Sequence, residues 1–494
     1  MSKSKKIIKY SILILFLMLP IIDCIRRTPI KDFEIFHFSI IEIFNIIIIG
    51  YTTVLTLINL IHKKKEYIPL IIYSIILLGY VFLHNLNILH FDSSIFPDSD
   101  TNIITETYYI IRVYYIPVLL LFTLIKNRDI FNLDFYAKLV KSLICIISLM
   151  LILLNIFKLS FATYAATNDE FLRYNIFDFY KSSDSFKLLS TRGWFDSGNE
   201  ISAILFMLFP INIYLLFKEN KKSNVLLYII QFLAMIILGT RVSAIGAILI
   251  TGVAIIINIL TKFINNDKIN YKLIICGALC TAYFFVSPIG MYTMGHKQLN
   301  YNIEDEHNEH LRELTNEDEI SDYILNSLYE FRISEDLIKL YPVKNDPTFW
   351  KNIALGNRNL NNDSRVMKTE IIKRIKERNN NKYDSYLGMG YTINFMDLER
   401  DYVYQYYLFG LLGIILILPQ LFVCFKTGIN CLKNIRQIPL LSTVLVAMGP
   451  ALGFIVAYYS GHVFGWISPS YILVLTIAIF NAKNYYDLNS NNIN

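Results

Sequence analysis

VSAIGAILITGVAIIINILT, residues 242–261, is a stretch of 20 residues without a charged side chain. A helix of that length spans about 30 Å, the thickness of the hydrocarbon core of a bilayer. Runs of similar character recur along the chain, and hydrophobic residues make up 54% of its 494 residues. A backbone in lipid must satisfy its own hydrogen bonds, and these runs are continuous rather than alternating, so they predict helices and not barrel strands. The expected fold is all-α, a polytopic membrane helix bundle.

The apolar runs predict about twelve transmembrane helices. Their predicted starts are Ile7, Phe38, Tyr67, Tyr108, Leu139, Glu200, Val225, Val242, Leu273, Tyr402, Leu440 and Val463. The clusters rich in lysine and arginine, at 62–66, 126–129, 218–222, 265–272 and 426–436, then all fall on one side of the membrane. Short cytoplasmic loops carry the positive excess, so both termini are predicted to be cytoplasmic. One basic group falls on the opposite side in this topology and is the exception: Arg26, Arg27 and Lys31. The segment 87–106, which lacks lysine and arginine, is predicted to be an outer loop.

One polar segment, residues 295–401, interrupts the apolar pattern. The predicted organisation is therefore 1–294 for transmembrane helices 1–9, 295–401 for a large extracytoplasmic loop, and 402–494 for helices 10–12 and a short cytoplasmic tail. The loop is expected to be partly helical, because apolar residues recur in it at helical spacing. They are Ile320, Tyr323, Ile324, Leu328 and Phe331, and then Met367, Ile371 and Ile375 after an N-cap at Asp363 or Ser364.

Composition excludes several classes of protein. The net charge of +6 lies in short lysine clusters, which indicates membrane orientation and not nucleic-acid binding. The cysteines lie in or next to apolar segments or cytoplasmic turns, so a disulfide-stapled ectodomain is not expected. A P-loop is absent from the sequence, which argues against ATP-driven transport by this chain. No cofactor or metal is predicted; the outer carboxylate pairs Asp98/Asp100 and Asp32/Glu34 are the alternative, as divalent-metal ligands.

Four arginines are predicted on the outer side, at or near the ends of apolar segments: Arg112, Arg192, Arg241 and Arg365. An arginine in this position costs about 2.5 kcal/mol or more unless it has a partner. Guanidinium groups grip phosphate oxygens in a two-pronged manner, and two or three of them can replace a metal ion in holding a diphosphate. The alternative for each arginine is a snorkelling side chain that meets lipid headgroups.

Several of these residues lie in motifs that resemble those of the O-antigen ligase and O-antigen polymerase superfamily. Arg192-Gly-Trp-Phe-Asp-Ser-Gly-Asn199 is similar to the signature that precedes a span in that family, and Leu238-Gly-Thr-Arg241-Val-Ser-Ala is similar to its arginine turn. Ser364-Arg365 followed by Leu387-Gly-Met-Gly390 resembles the arginine helix and G-x-G of its outer loop. The sequence from Tyr402 to Gly410-Leu-Leu-Gly413 resembles the helix that follows this loop.

The resemblance implies a membrane glycosyltransferase that acts on undecaprenyl-diphosphate-linked glycans at the outer face of the cytoplasmic membrane, with a flippase and a chain-length regulator as possible partners. Where ligases of the family carry a histidine at the end of the loop, this chain has Glu399 and Arg400, which favours a polymerase. Arg192, Arg241, Arg365 and Arg112 are the candidates for binding the diphosphate. Glu399, with Asp401 second, is the candidate base. A ligase, and a transporter or flippase for lipid-linked sugars, are the alternative functions.

Overall fold

The structure is a computed structural model, and it describes residues 2–25, 34–35, 38–96, 101–163, 171–172, 175–177, 190–219, 221–265, 269–295, 306–331, 333–356, 364–391 and 398–491. Helices dominate these residues, as the apolar runs predicted, so the all-α class is confirmed. Two antiparallel pairs of very short strands are present as well, β1 (Glu34–Ile35) with β2 (Phe38–Ser39), and β3 (Phe161–Ala162) with β4 (Thr191–Gly193).

The helices up to the polar segment are α1 (Lys3–Ile25), α2 (Ile40–Asn59), α3 (Lys64–Ile88), α4 (Ile103–Ile110), a π-helix (Ile111–Tyr115), α5 (Ile116–Lys126), α6 (Leu133–Ile156), α7 (Gly198–Lys218), α8 (Lys222–Ile237), α9 (Arg241–Asn265), α10 (Tyr271–Val286) and α11 (Pro288–Gly295). The later helices are α12 (Glu306–Glu313), α13 (Glu317–Asn326), α14 (Leu328–Phe331), α15 (Glu335–Leu340), a 3₁₀ turn (Val343–Asn345), α16 (Pro347–Leu355), α17 (Ser364–Asn379), α18 (Asp384–Leu387), α19 (Asp401–Ile415), α20 (Leu418–Lys433), α21 (Leu440–Tyr459) and α22 (Ile467–Asn491).

Among the described residues, 8 helices are long and apolar enough to cross a membrane, or 9 if α19 and α20 form one bent span. Two further apolar helices, α8 and α10, are shorter. Each predicted start lies inside or shortly before a described helix, but the count of about twelve spans is not confirmed. The predicted division at 294/295 and 401/402 stays a prediction.

The chain divides into two compact units. The first unit comprises Met1–Tyr73, Arg112–Lys297 and Leu418–Asn494. Its central helix is α7. In the most apolar 18-residue stretch of this helix, 94% of the residues are buried. Gly449 and Gly453 of α21 pack against Met207 of α7, where added Cβ atoms would come within 3.1 Å of the Met207 carbonyl oxygen and 2.6 Å of its sulfur. Small residues spaced by four let helix backbones approach closely in membranes.

The second unit comprises Ser74–Ile111 and Gln298–Ile417. Most of the apolar residues predicted at helical spacing form its core: Ile320, Ile324 and Phe331 are buried in α13 and α14, and Met367, Ile371 and Ile375 are buried in α17. Tyr323 and Leu328 are half-buried. Trp350 of α16 is fully buried, and its indole N–H donates to the Tyr341 carbonyl over 3.1 Å. The polar segment therefore holds a packed helical core of its own.

Candidate functional site

Arg365 and Glu399 form an ion pair in the second unit. Arg365 is the second residue of α17, and its Nε donates a hydrogen bond to Oε2 of Glu399, two residues before α19. The side chains are 34% and 28% exposed, so both charged groups remain accessible to a ligand. The position of Arg365 at a helix start also places it beside backbone amides that lack intrahelical acceptors. The candidate cap Asp363 lies outside the described residues.

A turn at Gly388 and Gly390 joins α18 to the segment that leads towards Glu399. Both glycines have positive φ, at +85° and +102°. A Cβ on Gly388 would lie 2.1 Å from the carbonyl oxygen of Leu408, so only glycine fits at this distance from the α19 backbone. The N–H groups of Met389 and Gly390 donate to the carbonyls of Tyr407 and Leu408 over 3.0 and 2.9 Å.

A break in α19 makes these acceptors available. Gly410 has φ +66° and ψ −174°, which no helix accommodates. The carbonyls one to three residues before it therefore lose their regular partners in the next turn. Two of them accept from the turn at 388–390, and the third, from Phe409, accepts the hydroxyl of Tyr80 over 2.7 Å. The G-x-G turn and the glycine of α19 thus form one backbone junction.

A buried histidine and glutamate lie beside this junction. His84 of α3 and Glu106 of α4 are both 0% exposed, and Nε2 of His84 lies 2.8 Å from Oε1 of Glu106. The other ring nitrogen, Nδ1, lies 2.6 Å from the carbonyl oxygen of Leu387. The N–H of Tyr391 donates to the same Oε1 of Glu106 over 2.9 Å. Neither residue was predicted, since Glu106 fell in the predicted outer loop 87–106. The available signal was an ionisable residue on each of two consecutive apolar segments.

Asp384 is a second buried carboxylate in this unit. Its Oδ1 accepts from the amide of Asn87 over 3.0 Å, and its Oδ2 accepts from the amide of Asn379 over 2.7 Å. The Asn87 amide also donates to the Gly388 carbonyl over 2.8 Å. Burial raises the pKa of Asp384 above its ordinary value, and the two amide hydrogen bonds oppose this rise. The end of α3, α17 and α18 are therefore tied together at the start of the G-x-G turn.

In the first unit, β4 and the start of α9 bring two of the predicted arginines to neighbouring backbone segments. Arg192 of β4 is 6% exposed, and its guanidinium carbon lies 6.0 Å above the ring of Phe161. Arg241, the first residue of α9, is exposed. It follows Gly239, whose φ is +72° and where a Cβ would lie 2.4 Å from Cβ of Ser190. The strand that carries Arg192 thus packs on the turn that carries Arg241.

Arg112 occupies the π-helix and has two partners in the first unit. Its Nη1 donates to Oε1 of Glu42 over 2.8 Å, and its Nη2 donates to the Gly465 carbonyl over 3.2 Å. The side chains of Arg112 and Glu42 are only 19% and 12% exposed. The partner that an arginine in this position requires is thus supplied, at least in part, by α2.

Asp401, the second candidate base, is less accessible than Glu399. Asp401 lies in the first turn of α19 and is 4% exposed, so a substrate reaches it less readily than Glu399. The carboxylates Asp32, Asp98 and Asp100, weighed as metal ligands, lie outside the described residues. The structure thus joins Arg365 to Glu399, brings together the segments of Arg192 and Arg241, and pairs Arg112 with Glu42.

Fold and site together define a multi-pass membrane protein of the all-α class, with a helical polar segment that carries an accessible arginine–carboxylate pair. A family model described as "O-antigen ligase like membrane protein" matches residues 5–483, nearly the whole chain. The chain belongs to this family, and it is a membrane enzyme that handles glycans. Neither the curated proteins nor the solved structures include a significant match to it.

Proposed function

We propose that the protein is a polysaccharide polymerase, which joins oligosaccharide repeat units carried on undecaprenyl diphosphate at the outer face of the cytoplasmic membrane. The observation that carries this proposal is the accessible ion pair of Arg365 and Glu399. An arginine suited to a diphosphate and a carboxylate suited to a sugar hydroxyl are in direct contact. These are the two groups that glycosyl transfer from a lipid diphosphate requires.

In the proposed reaction, a hydroxyl of one lipid-linked repeat attacks the anomeric carbon of another. The bond from that carbon to the diphosphate oxygen breaks, and undecaprenyl diphosphate leaves with the bonding electron pair. Arg365 neutralises the charge that develops on the diphosphate. Glu399 accepts the hydroxyl proton, which balances the step.

The pairing of these residues links binding of the diphosphate to activation of the base. While the carboxylate accepts a charge-assisted hydrogen bond from the guanidinium group, the oxygen in that bond is occupied and does not contact a sugar hydroxyl. When a diphosphate binds the guanidinium of Arg365 in place of Glu399, the ion pair is broken while the substrate is in the site. The carboxylate is then free for the hydroxyl of the second repeat.

Arg192 and Arg241 are proposed as further contacts to the diphosphate, and Arg112 as a third. Of these, Arg241 is exposed and directly available, whereas Arg192 is buried and Arg112 is bonded to Glu42. We place the active face outside the cell, with both termini in the cytoplasm, because of the distribution of lysine and arginine. A flippase that delivers the lipid-linked repeats and a regulator of chain length are the partners that such a reaction implies.

A ligase, which transfers finished glycan to another acceptor, is the second candidate, and the family description, which carries the ligase name, is equally compatible with it. The sequence at the end of the polar segment, Glu399-Arg400 in place of histidine, favours the polymerase. A transporter is the third candidate, and the accessible ion pair on the polar segment argues for surface chemistry over passage through a pore.

The test compares glycans from cells that carry the wild-type chain, a deletion, Arg365→Ala or Glu399→Ala at equal abundance. A polymerase predicts that single lipid-linked repeats replace the long ladder in the deletion and in both variants. Arg312→Ala is the control for Arg365→Ala, and Glu309→Ala is the control for Glu399→Ala. Both control residues are exposed on α12. A full-length ladder that is left unattached would establish a ligase, and repeats trapped on the cytoplasmic side would establish a transporter. Unchanged ladders in the two variants would exclude the proposed site.

A further inference from the structure

The buried pair of His84 and Glu106 lies on α3 and α4, and the proposed reaction assigns a role to neither residue. We propose that these residues form a positioning pair, an imidazolium and a carboxylate, which fixes the segment 387–391 and thereby sets the position of Glu399. The role in catalysis rests on the proposed function, whereas the anchoring of the segment does not.

The hydrogen bonds of His84 define its protonation state. A carbonyl oxygen only accepts, so Nδ1, at 2.6 Å from the Leu387 oxygen, carries a proton. Nε2 faces Oε1 of Glu106 at 2.8 Å, and that oxygen already accepts the N–H of Tyr391. An oxygen that accepts a backbone N–H is better matched as part of a carboxylate, which leaves the second proton on Nε2. Both ring nitrogens then donate, and the ring is positively charged.

The other ionisable groups around His84 are compatible with this charge. On α3 itself, the Tyr80 hydroxyl lies 3.4 Å from Nδ1 and donates to the Phe409 carbonyl. From α4, Tyr109 stacks on the ring of Tyr391 with centroids 3.8 Å apart. From α18, the carboxylate of Asp384 interacts electrostatically with His84, and Lys376 of α17 acts in turn on Asp384. The imidazolium is therefore flanked by Glu106 directly and by Asp384 at longer range.

The pair holds the segment 387–391 at both ends. His84 binds the carbonyl of Leu387, and Glu106 binds the N–H of Tyr391. Between them, Gly390 packs so closely that an added Cβ would lie 3.3 Å from Oε2 of Glu106. The same segment bonds to α19, through the N–H groups of Met389 and Gly390 and the carbonyls of Tyr407 and Leu408. Its displacement would therefore also displace α19, whose first residue follows Glu399 by two positions.

The opposite charges of His84 and Glu106 predict different outcomes for single and double substitutions. Removal of one partner leaves the other charge buried without its counterion, which is strongly destabilising. Removal of both charges by residues of similar volume restores electrical neutrality and leaves amide groups that can bond to each other and to the segment. The single variants are thus expected to be worse than the double variant.

The experiment uses full-length protein in detergent and compares wild type, His84→Gln, Glu106→Gln and the double variant. His90→Gln is the matched control, because His90 is exposed just after α3. The first measurement is the rate of trypsin cleavage at Lys382, which is exposed beside α18. We expect cleavage about tenfold faster in each single variant and within about twofold of wild type in the double variant and the control. Equal rates in the singles and wild type, or a double variant worse than both singles, would overturn the proposal.

The second measurement is the rate of ladder formation at equal abundance of each variant. This rate is expected to fall about tenfold in each single variant and to return to within about twofold of wild type in the double variant. Single variants that form the ladder at the wild-type rate would contradict the positioning role. If the single variants do not accumulate, the double variant decides, because wild-type cleavage and a wild-type ladder are expected from it. Ladder formation also separates the two proposals. If the single and double variants differ in cleavage as expected but deletion of the chain leaves the ladder unchanged, the positioning pair is supported and the polymerase is excluded.

Discussion

Nε of Arg365 donates a hydrogen bond to Oε2 of Glu399, so the start of α17 and the residues before α19 are joined by an ion pair. The two residues are separated by 34 positions in the sequence. In the proposed reaction they have different tasks, and each restrains the other until a diphosphate binds. This relationship makes the geometry of the guanidinium group, and not only its charge, important for the reaction.

Substitution of Arg365 by lysine is therefore expected to lower the rate of glycan polymerisation by roughly tenfold or more. Lysine keeps the positive charge but lacks the planar, two-pronged grip on phosphate oxygens. The measurement is the initial rate of ladder formation in membrane vesicles supplied with lipid-linked repeats. Arg312→Lys on α12 serves as control, and a wild-type rate in Arg365→Lys would show that charge alone is sufficient.

Alanine in place of Gly388 is expected to destabilise the second unit by about 1–3 kcal/mol. The added Cβ meets the Leu408 carbonyl oxygen at 2.1 Å, and φ of +85° is unfavourable for any residue with a Cβ. Thermal unfolding of the detergent-solubilised protein is the measurement. Gly428→Ala in α20 is the matched control, because nothing lies within 4 Å of its added Cβ. Equal stability of the two variants would mean that the turn shifts without cost.

Asp346 is expected to make the second unit sensitive to acid. Burial of this carboxylate acts to raise its pKa, but hydrogen bonds from Arg374 at 2.7 Å and from the Phe349 N–H at 3.1 Å outweigh it, and the pKa lies below the ordinary value of 3.8. A carboxylate with a lowered pKa in the folded state contributes stability above its unfolded pKa, and this contribution is lost as the pH falls through the folded pKa.

The variant Asp346→Asn is thus expected to be less stable than wild type by about 2 kcal/mol at neutral pH. The difference should narrow as the pH falls below 3.8. Unfolding of the two proteins across this range is the measurement. A difference that is independent of pH would show that the helix cap to Phe349, and not the charge, is what Asp346 contributes.

The pair of Arg112 and Glu42 is expected to behave as a coupled unit. Arg112→Gln or Glu42→Gln alone should lower stability by about 3 kcal/mol, because the remaining charge is mostly buried, and the double variant should recover part of the loss. Thermal unfolding of the four proteins of this cycle gives the coupling energy. Additive losses would instead indicate that Arg112 serves a ligand and not Glu42.

Much of the architecture could be predicted from the sequence, because hydrophobic periodicity is a local property. The buried face of α17, with Met367, Ile371 and Ile375, was predicted from spacing alone. Arg365 was predicted as a site residue from its charge and position and from motif resemblance, and Glu399 from its place at the end of the loop. Their direct contact depends on how α17 and the residues before α19 fold together. No pattern within either motif specifies a partner 34 residues away.

The errors also have local causes. Glu106 was placed in the outer loop 87–106 because the next span was predicted to start near Tyr108, but the described helix begins at Ile103 and buries Glu106 against His84. The break at Gly410 was not predicted, because an isolated glycine in an apolar run fits a regular helix as well as a broken one. In both cases a tertiary partner, His84 or the 388–390 turn, decides the outcome.

The junction between the 388–390 turn and α19 uses main-chain N–H and C=O groups. Main-chain bonds do not depend on which side chain a residue carries, apart from the glycines that allow the approach. The exposed neighbours Tyr383 and Tyr386 can therefore mutate freely without loosening the anchor. Such an arrangement lets the exposed surface of the polar segment change over evolutionary time while the frame beneath it stays the same.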